Sequence, residues 1–156
     1  MPKLIRVSDS FTRPADTTPY ADLDLVANSA TAGSVVPLKF NIGSSGGWLH
    51  GLRLSKSTTT ATNATFSTHL FGASPTVANG DNGALSTDLS AKLAEVELAI
   101  MVAYTDDAAS VAQVGGTPLP EKLPLPYGVV YVLLEADAAY TPASAEVFTL
   151  ELFVEK

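Results

Sequence analysis

The stretch Val147-Phe148-Thr149-Leu150-Glu151-Leu152-Phe153-Val154-Glu155 places Phe148, Leu150, Leu152 and Val154 at every second position, against Thr149, Glu151 and Glu155. A repeat of two is the side-chain repeat of an extended strand with one buried face. Phe153 is the exception on the polar side. Upstream, Leu123, Leu125, Tyr127, Val129, Tyr131 and Leu133 form one apolar row, while Val130, Val132 and Leu134 fill the opposite face. A strand apolar on both sides is covered on both, so residues 127–134 are expected at the centre of a sheet. Tyr140-Thr141-Pro142 reads as a turn, and the last two strands are expected to pair across it as a hairpin. Val96, Leu98, Ile100, Val102 and Tyr104 alternate with Glu95, Glu97, Ala99, Met101 and Ala103, which reads as one strand with one buried face.

Weaker versions of the pattern precede these. Ile5, Val7 and Phe11 mark a first strand, and Leu23, Leu25 and Val26 a second. Val35, Val36, Leu38, Phe40 and Ile42 mark a third, Trp48, Leu52 and Leu54 a fourth, and Phe66 and Leu70 a fifth. Between them stand Gly, Ser and Asn clusters such as Gly43-Ser44-Ser45-Gly46-Gly47 and Asn79-Gly80-Asp81-Asn82-Gly83, which supply the backbone freedom that tight turns need. Short strands with frequent turn signals predict an all-β, antiparallel fold, a β-sandwich or a barrel. One short helix competes: Ser86 or Thr87 would cap a run carrying Leu89 and Leu93 on one face, ending before Glu95. Pro118, Pro120, Pro124 and Pro126 predict a stiff, extended connection across the outside of the sandwich. The 156 residues are expected to form a single β-sandwich domain, with residues 1–11 as an N-terminal arm or exchanged strand.

Composition narrows the chemistry. Nine Lys and Arg against sixteen Asp and Glu give a formal charge of −7, which repels phosphate backbones, so no nucleic acid is expected as a partner. The absence of cysteine removes disulfides, thiolate metal sites and thiol nucleophiles together. Charged residues are only 16% of the chain, and 22 Ala, 16 Thr and 14 Ser take their place, a composition suited to flat surface that is meant to be covered. The start, Met1 through Phe11, has no continuous apolar stretch of about seven residues or more, so neither a secretory leader nor a membrane partner is expected, and synthesis in the cytoplasm is.

No catalytic constellation stands out. His50 and His69 are the two histidines, and two strand-borne histidines would meet across a ladder, but a pair without a carboxylate third ligand is a weak case for zinc. Asp81-Asn82-Gly83 and Asp106-Asp107 lack the spacing of a calcium loop and read as solvated turns. Gly43 to Gly47 is not followed by Lys-Ser/Thr and a helix, so it is no phosphate loop. No catalytic residue, cofactor or metal is expected.

Four blocks carry a resemblance. They are Phe11-Thr12-Arg13-Pro14-Ala15-Asp16-Thr17-Thr18-Pro19-Tyr20, continuing through Asp24 and Val26; His69-Leu70-Phe71-Gly72-Ala73-Ser74-Pro75-Thr76; Asp81-Asn82-Gly83-Ala84-Leu85-Ser86; and Gly128 to Ala136 with Ala139 to Leu150. As a set they resemble a family of small proteins encoded among the virion genes of tailed bacteriophages. The resemblance implies a jelly-roll-like β-sandwich without enzymatic activity that acts as a head decoration, or cement, protein. It further implies the major capsid protein as partner, the capsid surface of the virion as location, and self-association, often as a homotrimer. The chain departs from the pattern at Leu23, where a turn-favouring glycine is expected.

The residues expected to make contacts are Leu4, Ile5, Val7, Phe11, Arg13 and Trp48. A terminal strand is suited to adding to a neighbour's sheet edge, so removal of residues 2–10 is expected to weaken capsid binding or trimer formation. The alternative function is a head- or tail-associated carbohydrate- or receptor-binding module. Its aromatic clusters would be Trp48, Tyr104 with Asp106 and Asp107, and Tyr20 with Asp22.

Overall fold

The C-terminal alternation forms the strand the spacing predicts, with Phe148, Leu150, Leu152 and Val154 fully buried. The structure is a computed structural model that describes residues 1–105, 108–113, 123–126 and 128–156. Its strands are β1 (Leu4–Thr12), β2 (Asp24–Val26), β3 (Leu38–Gly43), β4 (Gly47–Lys56), β5 (Phe66–Phe71) and β6 (Lys92–Glu97). They continue as β7 (Val102–Ala103), β8 (Ala108–Gln113), β9 (Leu123–Leu125), β10 (Gly128–Ala136) and β11 (Val147–Glu155).

The pairing is that of a chain folded in half about the β5–β6 connection. β1 runs antiparallel to β11, β2 and β3 to β10, β4 to β8 and β9, and β5 to β6. Two more antiparallel pairings, β11 with β4 and β10 with β5, join these ribbons into sheets. The larger sheet has the order β1-β11-β4-β8-β7 with β9 on β4, and the smaller β2-β10-β5-β6 with β3 on β10. One long ribbon wrapped into two facing sheets is the jelly-roll plan. The plan overturns the expected terminal hairpin. β10 and β11 are consecutive strands in opposite sheets, because the connection between them crosses from one layer to the other with Tyr140 buried in it.

The inward faces meet in one apolar cluster. Leu52, Leu54, Phe148 and Leu150 come from the larger sheet, and Phe40, Phe66, Leu70, Val130 and Val132 from the smaller. Phe66 stands edge-on to both Phe148 and Tyr140, with ring centroids 5.5 and 5.4 Å apart. A second, smaller cluster lies outside the smaller sheet, where Val77 and Leu85 cover Leu25, Phe71 and Leu133. That cover explains why β10 is apolar on both faces and central in its sheet, as expected. Tyr127 lies outside the described residues.

Two local expectations fail for physical reasons. No helix forms over residues 86–93: Thr87 bridges Val77, and the chain turns from Leu89 to Lys92 through a backbone hydrogen bond of 3.0 Å. Asp88 takes the Ser90 backbone and hydroxyl donors at 2.8 and 3.0 Å, a local bonding pattern that competes with a helix too short to sustain itself. The row from Val96 to Tyr104 is not one strand. β6 ends at Glu97 in the smaller sheet and β7 begins at Val102 in the larger. In the crossing Leu98 and Met101 both turn inward, which leaves Ile100, Val102 and Tyr104 exposed. Of the proline-rich connection, residues 117–122 lie outside the described residues, and Pro124 is in β9, paired with Trp48.

Leu23 has a φ of 70° and an exposed side chain, in a turn closed by Asp24 N–H to Ala21 O at 3.3 Å. Leu23 therefore occupies a left-handed position, where a side chain costs about 1–2 kcal/mol. Leu23→Gly is expected to stabilise the fold by about 0.5–1 kcal/mol after glycine's entropic cost, read as a higher urea midpoint.

Candidate interaction face

The outer face of the larger sheet is built around a bulge in β4. Phe153 is opposite Gly51 and Val154 opposite Leu49, so His50 is the extra residue. A bulge shifts the alternation by one. It turns Leu49 into the core and Trp48 outward, whereas an unbroken repeat from Leu52 and Leu54 would bury Trp48. Gly47 lets β4 start this close to β11, since a Cβ there would lie 2.6 Å from Val154 Cγ1 and 2.8 Å from the Glu155 carbonyl oxygen. In the resulting ladder row Leu4 is opposite Glu155, Glu155 opposite Trp48, and Trp48 opposite Pro124. Leu4 is 59% exposed and Trp48 47%. With strands about 4.8 Å apart, the two side chains stand about 10 Å apart on one face.

Polar groups frame this pair. His50 contacts Glu155 through Nε2, and the Lys156 ammonium donates to the carbonyls of Ile42 and Gly46. Further along, Glu151 receives Arg6 at 3.3 Å and Arg53 at 3.0 Å. Beside Trp48 a shallow hollow of about 330 Å³ is walled by Ser45, Gly46, Pro124, Leu125 and Lys156. Half-exposed apolar side chains beside ion-paired groups, with Glu155 standing between Leu4 and Trp48, have features of a protein-contact surface.

The other expected contact residues do not join this face. Ile5, Val7 and Phe11 point inward and pack on the core, with Phe11 stacked on Phe148 at 5.6 Å. Residues 1–11 are not a projecting arm. β1 pairs with β11 over its full length, from Leu4 opposite Glu155 to Thr12 opposite Val147, and Lys3 and Lys156 exchange backbone hydrogen bonds beyond it. The apolar stripe of β1 covers the core edge of this same chain. Removing residues 2–10 would therefore strip a strand from the fold as well as any contact.

Arg13 is a correction too, because its side chain is buried. Its Nη2 lies 2.9 Å from Asp81 Oδ2, its Nε donates to Tyr20 Oη at 2.8 Å, and Asp16 receives it at 3.2 Å. Asp81 is no solvated turn residue: it also accepts from Tyr20 Oη at 2.7 Å and from Ala27 N–H at 2.8 Å. Burial pushes its carboxyl pKa up, against the pull of these donors. A parallel cluster stands beside it, where Lys56 meets Glu146 at 2.8 Å and Tyr140 donates to Glu146 at 2.5 Å. Tyr20 and Tyr140 stack between the two clusters, 6.3 Å apart and 5° from parallel, and each ring has a cation 5.2 Å from its centre. Both phenols are pushed far up by burial. Tyr20 is thus closed to a glycan, and Asp106 and Asp107 beside Tyr104 lie outside the described residues.

No protein-family model matches the chain, and no curated protein matches it either. The chemistry of its surfaces carries the functional reading.

The two histidines do not meet. His50 is on the larger sheet and His69 on the outer face of the smaller. His69 sits between Glu95 on β6 (3.5 Å from Nδ1) and Glu135 on β10 (3.6 Å from Nε2). Among the described residues no group of three or more His, Asp or Glu is arranged to hold a metal ion. Burial, then the charges of Asp137 and Glu95, pushes Glu135 up to about 7. Burial also raises Asp137 to about 6, and burial followed by the Lys92 charge lowers His69 to about 4. A carboxyl raised in the folded state adds stability below its unfolded pKa and loses it as pH rises through the folded value. A lowered histidine acts oppositely, losing stability as pH falls from about 6.5 towards 4. Glu135→Gln is therefore expected to remove the alkaline loss, with a gain near pH 8 of about 1–2 kcal/mol after discounting for solvent. Chemical denaturation at pH 5 to pH 8 checks the sign.

Proposed function

We propose that this chain is a non-enzymatic head decoration protein of a tailed bacteriophage. It lays the outer face of its larger sheet on the major capsid protein and self-associates as a homotrimer. The observation that carries the reading is that Leu4 and Trp48, both exposed among the described residues, stand on one ladder row of the larger sheet's outer face on either side of Glu155. Support comes from the low charge density of the chain, from the four sequence blocks, and from the recurrence of jelly rolls among viral capsid domains. Each contact need only be weak. A trimer seated on several capsid subunits gains about 10²–10⁴ in avidity without any new contact, provided that the geometry allows all three to engage.

The test is cryo-imaging of virions with and without the protein, together with its copy number. Extra density over the head at threefold or quasi-threefold positions, in hundreds of copies, is expected. A few copies confined to the tail would refute the reading.

The hollow beside Trp48 favours a second reading, a carbohydrate- or receptor-binding module, since an exposed indole next to polar groups suits a sugar ring. It requires that Trp48→Ala abolish adsorption to the host while head density persists.

A further inference from the structure

The outer face of the smaller sheet carries a concentration of acid that the decoration reading does not use. Glu95 is opposite His69, Glu97 is opposite Ser67, and Ser67 is opposite Glu135. Three adjacent strands, β6, β5 and β10, thus place these side chains on the outward face in two neighbouring ladder rows about 10 Å wide. Asp137 joins them through a 3.1 Å hydrogen bond from Ser67, and Asp22 adds its charge from the turn before β2. Within the strip the His69 side chain is only 5% exposed, and neither ring nitrogen makes a hydrogen bond. Lys92 reaches the strip and is already bound to Glu95 at 2.7 Å. Among the described residues, Glu97, Glu135 and Asp137 form no ion pair with a lysine or arginine.

Glu95 and Glu97 are exposed, whereas Glu135 is buried and Asp137 half-buried with no lysine or arginine partner among the described residues. Such crowded carboxylates are costly, and that cost is recovered when a cation arrives. We propose that this strip, built by Glu95, Glu97, Glu135 and Asp137 around His69, is a docking site for an arginine or lysine side chain of a partner protein. A guanidinium brings five N–H donors in a planar fork, which suits facing carboxylates. A metal ion suits the strip less well. The two ring nitrogens of His69 face different carboxylates on opposite sides, so one ion cannot gather the set. A second copy of the chain is a poor source of a guanidinium, because its three arginines, Arg6, Arg13 and Arg53, are all paired with carboxylates of their own chain. The site stands independently of which face meets a capsid.

The pH dependence follows from the facing groups. Glu95, Glu97 and Lys92 lie on β6, His69 on β5, Glu135 on β10, and Asp137 and Asp22 in the flanking turns. Glu135 and Asp137, raised to about 7 and about 6, must lose their protons to receive the cation. Affinity is therefore expected to rise with pH.

The test titrates the whole protein with a hexa-arginine peptide by calorimetry. Glu135→Gln is expected to weaken binding about tenfold or more, and Asp88→Asn, an equal loss of charge at an exposed position away from the strip, by less than about twofold. Wild-type affinity is expected to rise about tenfold from about pH 5.5 to about pH 8, with protons released on binding. Retention of the fold by Glu135→Gln, read by circular dichroism, separates lost docking from unfolding. Equal weakening by both variants, a pH-independent affinity, no binding of the peptide, or tight calcium binding in its place would overturn the proposal.

Discussion

Asp81→Ala lowers the unfolding free energy by about 3–5 kcal/mol, the cost of breaking a buried ion pair from one side. The side chains of Arg13 and Asp81 are 0% and 1% exposed, so no water replaces the lost partner. The change strands more than a guanidinium. The Tyr20 hydroxyl loses an acceptor at 2.7 Å and the Ala27 amide one at 2.8 Å. Because Tyr20 stacks on Tyr140, strain passes to the Lys56–Glu146 pair, and Asp81→Ala with Glu146→Ala is expected to depart from additivity. The double change Arg13→Met/Asp81→Leu leaves no unpaired buried charge and is expected to cost less than Asp81→Ala alone, although the Tyr20 hydroxyl and the Ala27 amide still lose their acceptor. Urea denaturation reads both, as a lower midpoint at unchanged slope. A loss below about 1 kcal/mol for Asp81→Ala would mean that the pair is solvated.

Trp48→Asp is expected to strip the protein from particles while leaving its fold intact. Tryptophan at the centre of a contact carries about 2 kcal/mol or more, about thirtyfold in affinity for one site. In a trimer the losses compound through the shared avidity, so retention on washed capsids is expected to fall by about 10²–10⁴. Stability is expected to stay within about 0.5 kcal/mol, because Trp48 is half-exposed and its neighbour Leu49 makes the core contact. Leu89→Asp, an equal insertion of charge at an exposed leucine outside the face, serves as the control and is expected to leave retention unchanged. Equal retention of Trp48→Asp and Leu89→Asp would remove Trp48 from the contact.

What the sequence discloses and what it hides divide along local and non-local physics. β11 and β10 are legible because each keeps a repeat of two along its length, and apolarity on both sides of β10 announces the cover that Val77 and Leu85 supply. The orientation of Trp48 is hidden. One extra residue at His50 reverses the alternation, and Gly51 beside it is only an ambiguous local sign of a bulge. The row from Val96 to Tyr104 misleads in the same way, since a change of sheet between Glu97 and Val102 preserves the apolar spacing while altering which residues face in. Leu4 faces outward, whereas Ile5, Val7 and Phe11 follow the inward half of their own strand. Lys56 and Glu146 meet across 90 positions of chain, and no local pattern discloses such a pair. Arg13 stands out within its block, yet its burial depends on Asp81, which reads locally as a turn. The acidic strip is hidden likewise, because Glu95, Glu135 and Asp137 become neighbours only through the jelly-roll pairing.

Hydrogen exchange of the full-length protein, free and bound to purified capsids, tests the assignment of the contact face most directly. Backbone protection on binding is expected along β1, the start of β4 and the end of β11, around Leu4, Trp48 and Phe153, with β6 and the 72–91 excursion unchanged. Protection confined to β6 and that excursion, or no uptake of the protein by the capsids, would contradict the account.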